Sequence, residues 1–146
     1  MDDRVKRLKT PEDCESFAKN AQESHPHLAL EAHRRAVELR AAAYGAKTDA
    51  EREALEVVYA VEEVLSYKNH KKTRASRTWQ SIKQHGILGT VERVVSRAKE
   101  TDGYESLAEM GMEDLTFEAV VLRHPQLFQP ETVERAESRL AERKQA

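Results

Sequence analysis

From Thr48 to Leu65 the chain writes a helix that can exist only if the rest of the fold surrounds it. Thr48-Asp49-Ala50-Glu51 is a capping-box pattern, and Ala54, Leu55, Val57, Val58, Val61, Val64 and Leu65 then recur at spacings of three and four to make a broad apolar stripe. Valine loses rotamer freedom in a helix, so burial must hold such a segment helical. It belongs at the centre of the fold. Glu53, Glu56, Glu62 and Glu63 share this helix and read as its solvated face.

The other segments carry the same punctuation. Thr10-Pro11-Glu12-Asp13 supplies a cap, a first-turn proline and acids for a helix over Pro11 to Gln22. Leu28, Ala32, Ala36, Leu39 and Ala43 carry a second as far as Tyr44, with Gly45 to end it. Thr73 to His85 and Leu88 to Ala98 read as two helices about Gly86, with Ala75, Trp79 and Ile82 packing inward on the first. Tyr104 to Met110 and Asp114 to Arg123 read as shorter helices, with Phe117, Val120, Val121 and Leu122 buried. Glu131 to Glu142 reads as a charged helix lying on the surface. Aromatics at 5% and charged residues at 34% favour helices over a sheet. The expected fold is all-α: one domain over 1–146, a compact bundle of about six to seven helices without a sheet. It would have two lobes, an acidic helical hairpin unit over 1–70 and a basic helix pair with C-terminal helices over 71–146.

Charge is distributed unevenly over this frame. Between Ser66 and Lys99 there are nine Lys or Arg against one acid, Glu92, while the chain as a whole carries −2. A basic segment therefore sits inside an acidic protein, and clustered like charge points to an anionic partner. Lys71, Lys72, Arg74, Arg77, Ser81, Lys83, Arg93 and Arg97 supply the cations and hydroxyl that phosphate contact needs. Nucleic acid, DNA or RNA, is the expected partner. The competing reading pairs these cations with acids of the same fold, of an acidic protein surface or of a second copy. A protein interface would show an apolar centre beside them, for which Leu127, Phe128 and Met112 are candidates. A helix-turn-helix about Gly86 fits poorly, because Ser81, His85 and Glu92 fall where apolar contacts between its helices are needed. Trp79 lies on the apolar side of its helix and reads as a core anchor rather than a base-stacking residue.

Other chemistries find little support. His25, His27 and His33 lack the spacing that puts ligands on one helical face, so no metal and no cofactor is expected. No phosphate-binding loop, nucleophile elbow or Cys/His dyad is present, and catalysis is not expected; Glu56, Glu63 and Arg77 in one cleft would argue for it. Cys14, the lone cysteine, sits among Glu12, Asp13 and Glu15, which disfavour its thiolate. It permits no internal disulfide, and neither a signal segment nor a membrane span is visible, so a cytoplasmic location without a membrane partner is expected.

The stretch from Lys71 to Gln80, continuing through Lys83, His85-Gly86-Ile87 and Val91-Glu92-Arg93, resembles a segment of uncharacterised small bacterial helical proteins. Phe117 to Pro125 resembles a second such block. The resemblance implies a bacterial origin and no particular activity.

Overall fold

The computed structural model describes residues 1–97 and 104–145, and among these every regular element is helical. Nine α-helices are present among the described residues: α1 (Asp3–Lys6), α2 (Pro11–Ala21), α3 (Pro26–Tyr44), α4 (Asp49–Asn69), α5 (Ser76–His85), α6 (Ile87–Ser96), α7 (Tyr104–Glu109), α8 (Phe117–Arg123) and α9 (Pro130–Gln145). A single 3-10 turn, Pro125–Leu127, separates the last two. The count exceeds the six to seven expected. The helix that no expected segment covers is α1, a single turn capped by Asp2, whose side chain accepts the Arg4 N–H at 2.8 Å. No helix among the described residues is long and apolar enough to cross a membrane.

The valine-rich α4 is the hub. Its residues enter three of the four buried clusters: Ala60 and Val64 meet Val37, Leu107 and Met112; Ala54 and Val57 meet Val91, Val95, Val120, Val121 and Ala136; Leu55 and Val58 meet Ala41 and Ile82. Burial on all these sides overrides the weak helix propensity of valine. It also corrects the two-lobe expectation: α4 packs against α3 from the first half and against α6, α7 and α8 from the second, so the two halves share one central helix. The fourth cluster, Ala18, Ala29 and Ala32, joins α2 to α3 through small residues that let the two helices approach closely.

Three local expectations need correction, and one falls outside the described residues. The helix expected from Thr73 begins only at Ser76, because α4 runs on to Asn69 and residues 70–75 are spent on a loop. The helix expected from Asp114 begins at Phe117, where the Thr116 hydroxyl caps it by accepting the Ala119 N–H at 3.2 Å. The charged C-terminal helix does not simply lie on the surface. In α9 the side chains of Thr132, Ala136 and Arg139 are buried against α6 and α8, and Arg139 and Arg143 close on Glu118 at 3.2 and 3.1 Å. Ala98, the expected end of the second basic helix, lies outside the described residues.

Candidate nucleic-acid interface

The loop between α4 and α5 carries Lys71, Lys72 and Arg74, and its path is set by hydrogen bonds within the loop and to the end of α4. His70 terminates α4 in the left-handed region, φ 55° and ψ 30°, and Lys71 N–H closes back on the Ser66 carbonyl at 3.2 Å. A non-glycine residue in that region costs about 1–2 kcal/mol, so the surrounding bonds must hold it there. They are numerous. The Ser66 hydroxyl accepts the Thr73 N–H at 2.9 Å and donates to the Thr73 carbonyl at 3.3 Å. Asn69 donates to the Thr73 hydroxyl at 3.2 Å, and that hydroxyl donates to the Lys71 carbonyl at 3.0 Å. Glu62, one turn before Ser66, takes the next stretch: a single carboxylate oxygen accepts the Ala75 N–H at 2.9 Å and the Trp79 indole N–H at 2.6 Å. The same carboxylate lies 3.7 Å from the Arg74 guanidinium, which sits 5.6 Å from the centre of the Trp79 ring. Glu62 is thus a structural clamp and not part of a solvated face.

Lys71, Lys72 and Arg74 line one side of a cleft of about 580 Å³ whose other side comes from α2, α3 and α4. Its floor is an ion network centred on one buried acid. Glu63, 3% exposed, takes the His33 ring at 2.5 Å and the Arg40 guanidinium at 2.8 Å, and Arg40 reaches on to Glu15 at 3.0 Å. Burial works against the Glu63 carboxylate, but the hydrogen bond and charge of His33 together with Arg40 outweigh it and hold its pKa below the ordinary 4.5. Glu15 is displaced upward, first by burial and then by the charge of Glu63. Glu63 thus has two partners inside the protein, His33 and Arg40, and Glu15 shares the second of them. Lys19 adds a further cation from α2.

The remaining expected residues are spread more widely. Lys71, Lys72, Arg77, Lys83 and Arg93 are exposed, and none has a carboxylate partner among the described residues. Arg77 lies on the first turn of α5, beside the loop. Arg97 lines a different cleft, with Lys68, Thr78 and Val94, and its carbonyl accepts from Arg135 at 2.8 Å. Ser81 is spent inside the protein, its hydroxyl 2.9 Å from that of Thr90 where α5 meets α6. That polar contact fills the helix junction in which a helix-turn-helix would need apolar packing. Lys99, in the same basic window, lies outside the described residues.

Several readings of single residues change. Trp79 packs against the cluster of Ala41, Leu55, Val58 and Ile82 as expected but is only half-buried, its ring stacked on Tyr44 with centroids 6.0 Å apart and tilted against Tyr59 at 5.3 Å. Met112, offered as part of an exposed apolar centre, is fully buried, and Phe128 is half-buried; of that trio Leu127 alone is exposed. Phe117 and Leu122 are half-buried beside the fully buried Val120 and Val121. Glu63 lines the cleft with Arg74, whereas Glu56 and Arg77 do not. Cys14 is fully buried and its thiol is pushed up to about 11, chiefly by burial, with Glu63 and Asp13 adding to it. Sequence reasoning missed Lys19, Tyr44, Tyr59 and the clamp of Glu62, because each acts across α-helices far apart in the chain.

No protein-family model, curated protein or solved structure matches this chain.

Proposed function

We propose that this chain binds nucleic acid through phosphate contacts from Lys71, Lys72 and Arg74, with Arg77 beside them, and that it does so without catalysis of its own. One observation carries the reading: Lys71 and Lys72 are exposed and have no counter-acid among the described residues, yet the loop beneath them is fixed by the bonds of Ser66, Asn69, Thr73 and Glu62. Elsewhere in the fold the guanidinium groups of Arg34, Arg40, Arg52, Arg123, Arg139 and Arg143 each meet a carboxylate. Unmatched cations on a fixed backbone raise the local potential, and only their side chains remain to be ordered when an anion arrives. Phosphate contact of this kind fixes position and charge without reading sequence.

The test is fluorescence anisotropy of labelled DNA and RNA over a salt series, comparing the wild type with Lys71→Ala/Lys72→Ala. These two side chains make no contact that the fold depends on, so the variant should keep its circular dichroism. Each phosphate contact contributes about 0.7 to 0.9 to the slope of log affinity against log salt, so the double variant should flatten the slope by about 1.4 to 1.8. Absence of binding by the wild type at about 20 mM salt, or an unchanged slope in the variant, would overturn the proposal.

A further inference from the structure

The cation cleft does not end at the α4–α5 loop. A second hollow of about 470 Å³, lined by Lys9, Thr10, Pro11, Leu39, Ala43 and Tyr44 among others, shares Glu12, Arg40 and Tyr59 with it. The two form one groove across α2, α3 and α4. Cations stand at both ends, Lys71, Lys72 and Arg74 at one and Lys9 at the other. Between them lie Tyr59 and the ion network of Arg40, Glu15 and Glu63.

Tyr44 gives this groove a second chemistry. It is the last residue of α3, 48% exposed, and its ring rests on Trp79 with planes 21° apart. Trp79 is itself held by the bond to Glu62 and braced by Tyr59. An exposed ring with such backing loses little freedom when a flat partner stacks on it, and any nucleobase supplies a flat face. In a duplex those faces are covered by neighbouring base pairs, so a duplex would gain from the cations and not from Tyr44. Glu12, exposed where the hollows join, would repel a phosphate there and accept a hydrogen bond from a base amine. We infer that the groove takes a single-stranded nucleic acid, with phosphates at its basic ends and a base stacked on Tyr44; the inference rests on the nucleic-acid reading above.

Trp79 is the only tryptophan of the chain, so its fluorescence reports on the stack directly. Wild type, Tyr44→Ala, Tyr44→Phe and Lys71→Ala/Lys72→Ala would each be titrated with a labelled oligo-dT and with a duplex of the same length, following anisotropy and Trp79 emission. The wild type should prefer the single strand and change its emission on binding. Tyr44→Ala should weaken the single strand about 5- to 100-fold with the duplex unchanged, and Tyr44→Phe should restore it. The lysine variant should weaken both. If Tyr44→Ala binds oligo-dT as the wild type does, or the wild type prefers the duplex, the inference fails while lysine-dependent binding leaves the nucleic-acid reading standing. If the wild type binds neither these nor an oligo-rU of the same length, both fall.

Discussion

The Glu62 carboxylate should couple stability to binding in a way that a simple charge count gets wrong. One of its oxygens holds both the Ala75 N–H and the Trp79 indole N–H, and the group is only 14% exposed. Hydrogen bonds to a charged acceptor contribute about 1.5–3 kcal/mol each, and water can reach the half-buried donors once the acceptor is gone. Glu62→Ala should therefore cost about 2–4 kcal/mol. In Glu62→Gln a carbonyl oxygen can occupy the same place and keep both donors through neutral bonds of about half the strength, so about 1–2 kcal/mol is lost. With a urea slope of about 2 kcal/mol per molar, the alanine variant should unfold about 1–2 M earlier than the wild type. Circular dichroism and Trp79 emission report it.

The binding consequence separates the two variants. Both remove a negative charge beside the cation loop, which by Coulomb's law alone should tighten anion binding in each. In Glu62→Ala, however, the stretch from Arg74 to Trp79 loses its anchor, and the one or two residues freed must be ordered again on binding, at about 1–3 kcal/mol in all. That corresponds to about a 5- to 150-fold loss. Oligonucleotide affinity should rise or hold in Glu62→Gln and fall in Glu62→Ala. Equal affinities for the two variants, or an unchanged urea midpoint in the alanine variant, would refute the clamp.

Two further outcomes follow from buried charge. Because the folded-state pKa of Glu63 is depressed below 4.5, its ionised form stabilises the protein fully above that value, and this contribution is lost as pH falls through the depressed one. The gap in urea stability between wild type and Glu63→Gln should therefore be wide at neutral pH and close in acid, and a gap independent of pH would refute the role of the His33–Glu63–Arg40 network. Glu118→Ala would leave Arg139, 8% exposed, with a backbone carbonyl in place of a counter-charge, and should cost about 3–5 kcal/mol; limited proteolysis should then cut first in α9, and a wild-type digestion pattern would count against it.

What was legible in the sequence follows from how local each signal is. The caps at Thr10 and Thr48 and the stop at Gly45 act within one turn, so α2, α3 and the start of α4 stand close to where the residues put them. The start of α5 did not, because no short-range rule says that the Ser66 hydroxyl will take Thr73 or that Glu62 will reach Trp79, seventeen positions on. Glu63 is a similar case. It stands one residue before Val64 and three after Ala60, in the register of the buried side of α4, and that register was outweighed by its charge. Only the arrival of His33 and Arg40 from α3 makes its burial tolerable. The groove was illegible for the same reason, since Lys9, Lys19, Tyr44 and Lys72 come from separate parts of the chain.

The division of labour between the two kinds of cation then bears on what the groove can recognise. In the described residues the side-chain ion pairs with carboxylates are made by arginine and histidine and none by lysine. A planar guanidinium fork suits a fixed carboxylate, whereas a lysine ammonium is a hydrated point charge on a mobile stem. The paired arginines thus answer the acids of the fold, and Lys9, Lys19, Lys71 and Lys72 are left along the groove without a carboxylate partner among the described residues. Arg74, tied to Glu62 and Trp79, stands between the two roles. Point charges follow a flexible phosphate backbone without fixing a register on it, and an aromatic face accepts any base. A surface built from these two parts distinguishes an open strand from a closed one far better than it distinguishes one sequence from another.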